Sequence, residues 1–423
     1  MQPPAPVPLE QVDLSDLDAF VRNEGWAQFD ALRREAPVHW NPEPAPGSGF
    51  WSVTRHDDIV NVDRDAETFT STDYVNMEEV DDDLKDLRRS ILETDGTRHR
   101  ALRKLLQRDF GARTLAKFEE FLRGLTWGTV DAALRHSPDG EFDFVKEISA
   151  DFPIQVLARM LDVPDEHTTQ LIDWGNKMIG NTDPDYAEVL MTDAESDKYK
   201  HLPFRSPAAL EVFEYGRELA RKRKGGDGED LVSHLVNRTP EDGEPLSATD
   251  FDNYFLLLVV AGNETTRHTI SQAMLALIQH PDQLALLQQQ PELIPNAVEE
   301  MLRWASPVYH FRRTATRDVE LGGEQIKAGD KVVMWFASGN RDSDVFERPY
   351  DFDVTRSPND HVTFGKGGPH FCLGNALARM EIRLMFETLL PRIHTVELTG
   401  DVTRVRSNFV NGIKTFPVRM TTH

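Results

Sequence analysis

The chain has 423 residues, 39% of them hydrophobic, and 47 Lys and Arg against 71 Asp and Glu give a formal net charge of −24. Such an acidic surface repels phosphate backbones and anionic membranes, so we expect no nucleic-acid partner. A single cysteine excludes an internal disulfide, and the sequence has neither a signal-peptide pattern nor an apolar run of about 18 residues, so we expect a cytoplasmic protein without a membrane span.

The hydrophobic pattern, taken from the N-terminus, predicts a mostly helical chain. Phe50–Arg55 is typical of a short strand, and His56–Asp65 of the start of a helix. Apolar residues at three- and four-residue spacing then predict helices over Arg98–Phe110, Leu115–Arg135, Ile154–Leu161, Thr168–Ile179, Ala208–Arg223, Asp250–His280, Pro281–Gln289 and Ile294–Trp304. Glycines at turns predict a hairpin within Val319–Phe336. A helix from Leu373 to about Leu390 and a strand-like tail, Val410–Met420, follow.

Three polar segments interrupt this pattern, at 181–206, 223–230 and 237–247. Each is short and lies between helical patterns, and the chain has no internal repeat. We therefore interpret them as loops between helices. The sequence predicts a mainly α fold with small peripheral β-sheets, in which residues 1–423 form a single large domain.

The only cysteine, Cys372, lies where a glycine-rich stretch, Phe364–Gly374, meets a predicted helix. A lone cysteine is usually a small buried hydrophobe. At the start of a helix, however, free N–H groups and the helix dipole favour a thiolate. The glycines allow the backbone to approach something flat or bulky. Without a second cysteine the thiolate is no zinc cluster or redox pair, which leaves a nucleophile or one axial bond to the metal of a cofactor.

The stretch FGKGGPHFCLG resembles the haem-binding loop of cytochrome P450 enzymes, in which the cysteine thiolate binds the iron. The resemblance implies haem b (iron protoporphyrin IX) as cofactor, with Cys372 as the metal ligand and Phe364, Gly365 and Gly374 in the loop around it. Phe364 precedes Cys372 by eight residues, whereas most members have seven. This longer loop, and the tail Ser407–Lys414, resemble bacterial hydroxylases of steroid side chains and methyl-branched lipids.

A second motif, AGNETT, lies inside the long predicted helix Asp250–His280. By itself it is only a polar turn of a helix. The resemblance implies that this helix crosses the distal face of the haem and that Ala261 and Gly262 leave room for dioxygen. It also implies that Glu264 and Thr265 are the acid–alcohol pair that delivers protons.

Two further residues, Glu300 and Arg303, match a structural Glu-x-x-Arg ion pair that supports the cysteine loop in the family. Alone, they would be an ordinary surface pair on a helix. The third partner in the family comes from a stretch that corresponds to Phe346–Phe352. Where the family often has Arg, this chain has Asp351, which leaves Arg356 as the candidate.

The two haem propionates need cations or hydrogen-bond donors. Four residues match family positions for this role, namely His99, Arg103, Arg313 and His370. Each alone is more often a solvated surface charge. Their occurrence together, in the order of the family, favours the propionate role.

The resemblance implies a monooxygenase that inserts one oxygen atom from dioxygen into a C–H bond. A peroxide-driven peroxygenase, a fatty-acid hydroxylase and a non-enzymatic haem sensor are the alternatives. We expect a bulky hydrophobic substrate because the candidate pocket walls are mainly apolar. These walls are Tyr74–Val80, Met178, Ile179, Val259, Val260, Pro307–Phe311 and Val410–Ile413.

Two charged segments predict how the protein meets its electron donor and its substrate. Arg100, Lys104 and Arg108 form one helical stripe, near the expected positions of Lys366 and Arg379, and this patch predicts docking of an acidic ferredoxin served by a ferredoxin reductase. The acidic run Glu78–Asp86 corresponds to the substrate-entrance loop of the family. If it borders the mouth, it favours neutral sterols or terpenoids over fatty acids.

Overall fold

The computed structural model describes residues 4–44, 47–137 and 139–422. The fold is mainly α-helical, as predicted. The helices in the described residues are α1 Leu17–Val21, α2 Gly25–Glu35, α3 His56–Arg64, α4 Asp82–Arg88, α5 Gly96–Gln107, α6 Ala112–His136, α7 Asp151–Leu161, α8 Thr168–Ile179, α9 Ala208–Arg223, α10 Leu231–Asn237, α11 Ala248–Gln279, α12 Pro281–Gln289, α13 Ile294–Ala305, α14 Phe336–Gly339 and α15 Asn375–Leu389. Short 3₁₀ turns and one π-turn, Val145–Ser149, connect several of them.

The strands are short and lie at the periphery, as predicted. They are β1 Val38–Asn41, β2 Phe50–Val53, β3 Phe69–Thr70, β4 Glu141–Asp143, β5 His310–Ala315, β6 Val319–Leu321, β7 Glu324–Ile326, β8 Lys331–Trp335, β9 Ile393–Leu398, β10 Thr403–Arg404, β11 Ile413–Thr415 and β12 Pro417–Thr422. The largest sheet has the order β1-β2-β8-β5-β3, with β2 and β8 parallel. β4, β12 and β9 form a second sheet, and the pairs β6–β7 and β10–β11 complete the set.

Helix α11 is the centre of the core. Its start is fixed by a capping box, in which the Ser247 side chain accepts from the backbone N–H of Asp250 and the Asp250 side chain accepts from that of Ser247. Most of its 32 residues are buried, because α7, α8, α9, α13 and α15 pack around it. A helix apolar around most of its circumference belongs inside the protein. This packing brings α11 beside α15, the helix that begins just after Cys372.

The predicted helix limits are close to the observed ones, and three helices, α8, α9 and α12, have the predicted bounds. The sequence analysis did not predict α1, α2, α4, α10 or the strand β5. In β5, five of six residues are buried, so the alternation of polar and apolar residues that identifies a surface strand is absent. Helix α4 is short and lies within the acidic run, where no apolar periodicity indicates a helix.

Candidate active site

The loop before α15 is closed by a backbone hydrogen bond from the Cys372 N–H to the Phe364 carbonyl at 2.9 Å. Gly365 and Gly367 have φ of +73° and +75°, a region that favours glycine. A Cβ at Gly368 would lie 2.0 Å from the Asp63 carbonyl oxygen of α3. These three glycines therefore allow the loop to pack closely on α3. A Cβ at Gly374, in contrast, would meet nothing within 4 Å.

The Cys372 side chain is half-buried. Burial raises the pKa of its thiol, although the backbone N–H groups of Gly374 and Asn375 and the Arg103 guanidinium act in the opposite direction. The expected thiolate is therefore not favoured by the helix start alone. A bound metal ion deprotonates a coordinating thiol outright. Cys372 would therefore bind the iron of a cofactor as a thiolate.

The four residues predicted to meet the propionates converge beside this loop. The rings of His99 and His370 lie 4.2 Å apart, and Arg103 donates from Nη2 to the Phe371 carbonyl at 2.5 Å. Arg313 is buried, with Nη2 at 3.2 Å from Asp63 Oδ1, and its charge acts on the His370 ring.

The basic groups of this cluster are buried at the expense of their charged forms. Burial, together with the neighbouring His370 and Arg103, lowers the pKa of His99 to about 4. Burial likewise lowers the pKa of Arg103, Arg313 and His370. In addition, the buried Nδ1 of His99 has no hydrogen-bond partner in the described part of the chain. Anionic propionates would supply the missing charge and acceptors, so the cluster fits haem.

Helix α11 offers an opening where the AGNETT motif lies. Ala261 is exposed and Gly262 and Thr265 are half-buried, in a helix whose other residues are mostly buried. The hydroxyl of Thr265 donates to the Ala261 carbonyl at 3.0 Å. Every residue from Phe371 to Met380 is likewise half-buried. An interior helix face and the cysteine segment therefore both border open space, as a flat cofactor between them requires.

The side chains of Glu264 and Thr265 are not hydrogen-bonded to each other. The buried Glu264 carboxylate lies 3.3 Å from Arg267 Nη1 and 3.3 Å from His268 Nε2, and it accepts from Asn263 Nδ2 at 3.1 Å. Burial acts to raise the pKa of Glu264, but Arg267 and His268 outweigh it and hold the pKa below its ordinary value. The acid of the expected pair is thus an anion held by its own helix neighbours.

The Glu-x-x-Arg pair is fully buried. Arg303 donates to both oxygens of Glu300, at 2.7 Å each. Arg356 donates from Nε to Glu300 Oε2 at 3.1 Å, and so takes the third position that the sequence left open. Asp351 contributes only its carbonyl, which accepts from Arg303 and Arg356.

A cavity that is partly open to solvent lies along α11 and reaches Thr265; its empty space is about 730 Å³ when the part that opens into solvent is included. Several predicted wall residues line it, namely Tyr74, Val75, Asn76, Ile179, Val260, Val308, Phe311 and Val410. Other predicted wall positions, including Met178, Val259 and Tyr309, are buried in the core instead. The sequence analysis missed the lining residues Arg88, Ser90, Leu92, Glu93, Pro203, Phe204, Asn253, Leu256, Leu257 and Phe409.

The carboxyl group of Glu381 on α15 is also buried, and the sequence did not indicate a role for it. It is 2% exposed, and burial raises its pKa to about 8, while a hydrogen bond with Thr266 of α11 opposes the shift. The residue therefore joins the cysteine helix to the cavity helix as a neutral acid at pH 7. The only sequence signal for it is a carboxylate at an apolar position of the predicted helix.

The charged segments are more paired than predicted. Arg100 and Lys104 on α5 and Arg108 directly after it are exposed. However, Lys104 pairs with Glu241 at 2.5 Å, and Lys366 and Arg379 pair with Asp360 and Glu299.

In the acidic run, Glu78 pairs with Arg88 and Arg205, and Glu79 pairs with Lys331. The first two carboxylates of the run are therefore neutralised within the chain.

No helix among the described residues is long and apolar enough to cross a membrane. The family model described as cytochrome P450 matches residues 51–410. A methyl-branched lipid omega-hydroxylase of Mycobacterium tuberculosis is 36% identical, over 98% of this chain and 96% of its own length. A steroid C26-monooxygenase of Rhodococcus jostii is also 36% identical, over 97% of this chain and 84% of its own length.

Solved structures agree with these relatives. A cytochrome P450 of Mycobacterium marinum in complex with pseudoionone superimposes with a TM-score of 0.87 at 37% identity, over 98% of this chain and all of the other. The chain belongs to the cytochrome P450 family and is a monooxygenase of that family with a haem-thiolate cofactor.

Proposed function

We propose that this cytochrome P450 binds haem b and hydroxylates a bulky neutral hydrophobic substrate, a steroid or a terpenoid, with electrons from a ferredoxin and its reductase. The observation that carries the proposal is the cavity along α11, which is largely apolar and reaches Ala261 and Thr265. A substrate that fills this cavity has one end beside these small residues. We further propose that residues 1–423 act as one domain in the cytoplasm.

Haem, when bound, supplies the redox centre that activates dioxygen. Cys372 would hold its iron, and His99, Arg103, Arg313 and His370 would bind its propionates. Three of these side chains are held in place by the protein itself: Arg313 by Asp63, His370 by Asp95 and Arg103 by the Phe371 carbonyl. The ring of His99 packs against that of His370. The site is therefore organised before the cofactor enters, which lowers the entropic cost of binding.

Thr265 would position a proton donor at the cavity end of α11, because its hydroxyl is half-buried and faces the cavity. Glu264 would supply protons only after it leaves Arg267 and His268, since both hold it as an anion. The pair would then act in sequence, with Glu264 as the reservoir and Thr265 as the group next to the reaction. The presence of both residues supports a dioxygen-dependent enzyme over a peroxide-driven one.

The substrate class rests on the cavity and on the relatives. The walls contributed by Val75, Leu256, Leu257, Val260 and Phe311 favour a rigid or branched hydrocarbon. Relatives at 36% identity are named for methyl-branched lipids and steroids. A neighbour at 37% identity was solved with pseudoionone.

Ferredoxin dependence is supported by Arg100 on α5 and Arg108 directly after it, which are both exposed. Arg103 of the same helix contacts the cysteine loop. The neighbouring Lys104–Glu241 pair is exposed, with 51% and 66% of the two side chains accessible. Such pairs contribute little stability, so an acidic partner can replace Glu241. The surface therefore offers three cations to a partner with acidic side chains.

The proposal is tested with the purified haem-loaded protein, a ferredoxin, a ferredoxin reductase and reduced nicotinamide. A panel of steroids, terpenoids and fatty acids is screened first by the shift of the haem Soret band and then for hydroxylated products. We expect steroids or terpenoids to shift the band and to be hydroxylated only with the complete electron-transfer chain. Tight fatty-acid binding without any response to steroids or terpenoids would contradict the substrate class. Equal turnover with hydrogen peroxide alone would favour a peroxygenase.

A further inference from the structure

We infer that the cavity end farthest from Thr265 binds a neutral hydroxyl group of the substrate through Arg88 and Asn253. The inference rests on the proposed function, since it specifies which steroid or terpenoid the same cavity accepts. It predicts a substrate with an alcohol at one end and an apolar end at which oxidation occurs.

The cavity has two ends because it follows one face of α11. The residues of α11 that line the cavity are three or four positions apart, so they lie on one face of the helix. They are Asn253, Leu256, Leu257, Val260, Ala261, Glu264 and Thr265. From Asn253 to Thr265 the helix rises about 18 Å, at about 1.5 Å per residue. A substrate that reaches both ends is therefore held by its far end while its other end lies beside Thr265.

Two polar side chains at the far end have atoms without partners. Asn253 is 1% exposed, and its Nδ2 donates to the Leu87 carbonyl at 2.9 Å. This bond fixes the amide orientation and leaves Oδ1 as a buried acceptor without a hydrogen bond in the described part of the chain. Arg88 is 3% exposed, and its Nε is a buried donor that likewise has no hydrogen-bond partner in the described part of the chain. An unpaired buried group costs about 1–3 kcal/mol, so a ligand that pairs with both atoms is favoured.

The charge at this end is already balanced. Arg88 donates to Glu78 through Nη1 at 2.9 Å and Nη2 at 2.6 Å, and Glu78 also pairs with Arg205. Asp197 lies 3.2 Å from Arg205, so two cations face two anions, and the buried acid Glu93, which bonds to Ser90, also lines the cavity. A substrate carboxylate would lose its hydration here without gaining an unpaired cation. The group that binds is therefore neutral.

A hydroxyl group has the chemistry to satisfy both unpaired atoms, because it can accept from Arg88 Nε and donate to Asn253 Oδ1. A ketone can accept from Arg88 but leaves the Asn253 oxygen unpaired. A hydrocarbon leaves both unpaired. The order of affinity for ligands with one carbon skeleton is thus alcohol, then ketone, then hydrocarbon.

The test compares three steroids that differ only at the ring position most remote from the side chain, where they carry a hydroxyl, a ketone or hydrogen. Their dissociation constants are measured on the haem-loaded protein from the Soret shift. We expect the alcohol to bind at least about tenfold more tightly than the hydrocarbon, the gain of two hydrogen bonds with buried partners. Equal dissociation constants for the three would overturn the inference but leave the proposed function intact. No response to any steroid or terpenoid would overturn both.

A variant pair assigns the preference to Asn253. In Asn253→Leu the acceptor is lost, so the alcohol should lose most of its advantage while the hydrocarbon binds as well as before or better. Asn263→Leu is the matched control, because Asn263 is a buried residue of the same helix whose Oδ1 also lacks a partner, but it does not line the cavity. The control should keep the alcohol preference. A preference that survives in Asn253→Leu would contradict the assignment, and if that variant does not fold, the steroid series on the natural protein decides alone.

Discussion

The cysteine side and the cavity side of this protein differ in how their buried polar groups are satisfied. Beside the cysteine loop, Glu300 accepts hydrogen bonds from Arg303, Arg356, Asn359 and the backbone of Asp353. At the far end of the cavity, Asn253 Oδ1 and Arg88 Nε have no partner in the described residues. The difference indicates that the partners of Glu300 are complete within the chain, whereas the far end of the cavity, like His99 Nδ1 beside the cysteine loop, is completed by a ligand.

The largest expected effect tests the completeness of the cysteine side. Arg303→Ala leaves Glu300 as a buried carboxylate with fewer partners, so unfolding free energy should fall by about 3–5 kcal/mol. Urea unfolding of the haem-loaded protein, followed by circular dichroism, measures it. Lys327→Ala is the control, because the Lys327–Asp318 pair is 2.8 Å long but 63% and 60% exposed. That substitution should cost less than about 1 kcal/mol. Similar losses for both variants would remove the distinction between the two pairs.

The second prediction concerns the contact that joins the two sides. Burial raises the pKa of Glu381 to about 8, above the value of about 4.3 in the unfolded chain. The unfolded carboxyl therefore loses its proton first, and stability falls as pH rises from about 4.3 to about 8. Glu381→Gln has no such proton to lose. Between pH 6 and pH 8 its stability relative to the natural protein should increase by about 2 kcal/mol. An unchanged difference across this range would show that Glu381 is charged in the fold.

The third prediction tests the reactive end of the cavity. Thr265→Ala should leave steroid binding nearly unchanged, because the residue contributes only a half-buried hydroxyl to the wall. Product formed per reduced nicotinamide consumed should fall about tenfold, since proton delivery loses its last donor and the electrons leave as hydrogen peroxide. Thr265→Ser keeps the hydroxyl and should retain most of the coupling. A Thr265→Ala enzyme as well coupled as the natural one would exclude this role.

The smallest expected effect is on the rate of electron transfer, and it concerns the exposed basic residues near the cysteine loop. Exchanging Arg100 and Arg108 for Glu should slow the first electron transfer several-fold at low salt, with unchanged steroid affinity. The effect should shrink toward 0.5 M salt, because the screening length falls well below 10 Å. Lys222→Glu carries the same kind of charge reversal on α9, where Lys222 is 65% exposed, and should have no effect. Equal rates for all three proteins across the salt series would show that the electron donor docks elsewhere.

The same two sides differ in what the sequence could predict. Cys372, His99, Arg103, Arg313 and His370 could be predicted as a site because a cofactor with fixed geometry requires residue types at fixed spacings. The third partner of Glu300 was the exception, since the expected Arg position holds Asp351 and the contact comes from Arg356 instead.

The cavity side could not be assigned in this way, because its walls come from several distant segments without a motif. Neighbours on one helix differ by about 100° in direction, so Val260 lines the cavity while Val259 lies in the core. Arg88 and Asn253 gave no signal, since their role depends on α4 meeting α11 in space. The partners of Glu264 also emerged only from the fold, although Arg267 and His268 stand three and four residues after it.

The central claim is that Cys372 is the iron ligand of a haem-thiolate enzyme, and the reduced carbon monoxide spectrum tests it most directly. We expect the natural protein to show the strongly red-shifted Soret band of thiolate-ligated haem. Cys372→His should lose that band while it still binds haem, because His99, Arg103, Arg313 and His370 remain to hold the propionates. A natural protein whose carbon monoxide spectrum resembles that of a globin, or a Cys372→His variant that keeps the red-shifted band, would contradict the account.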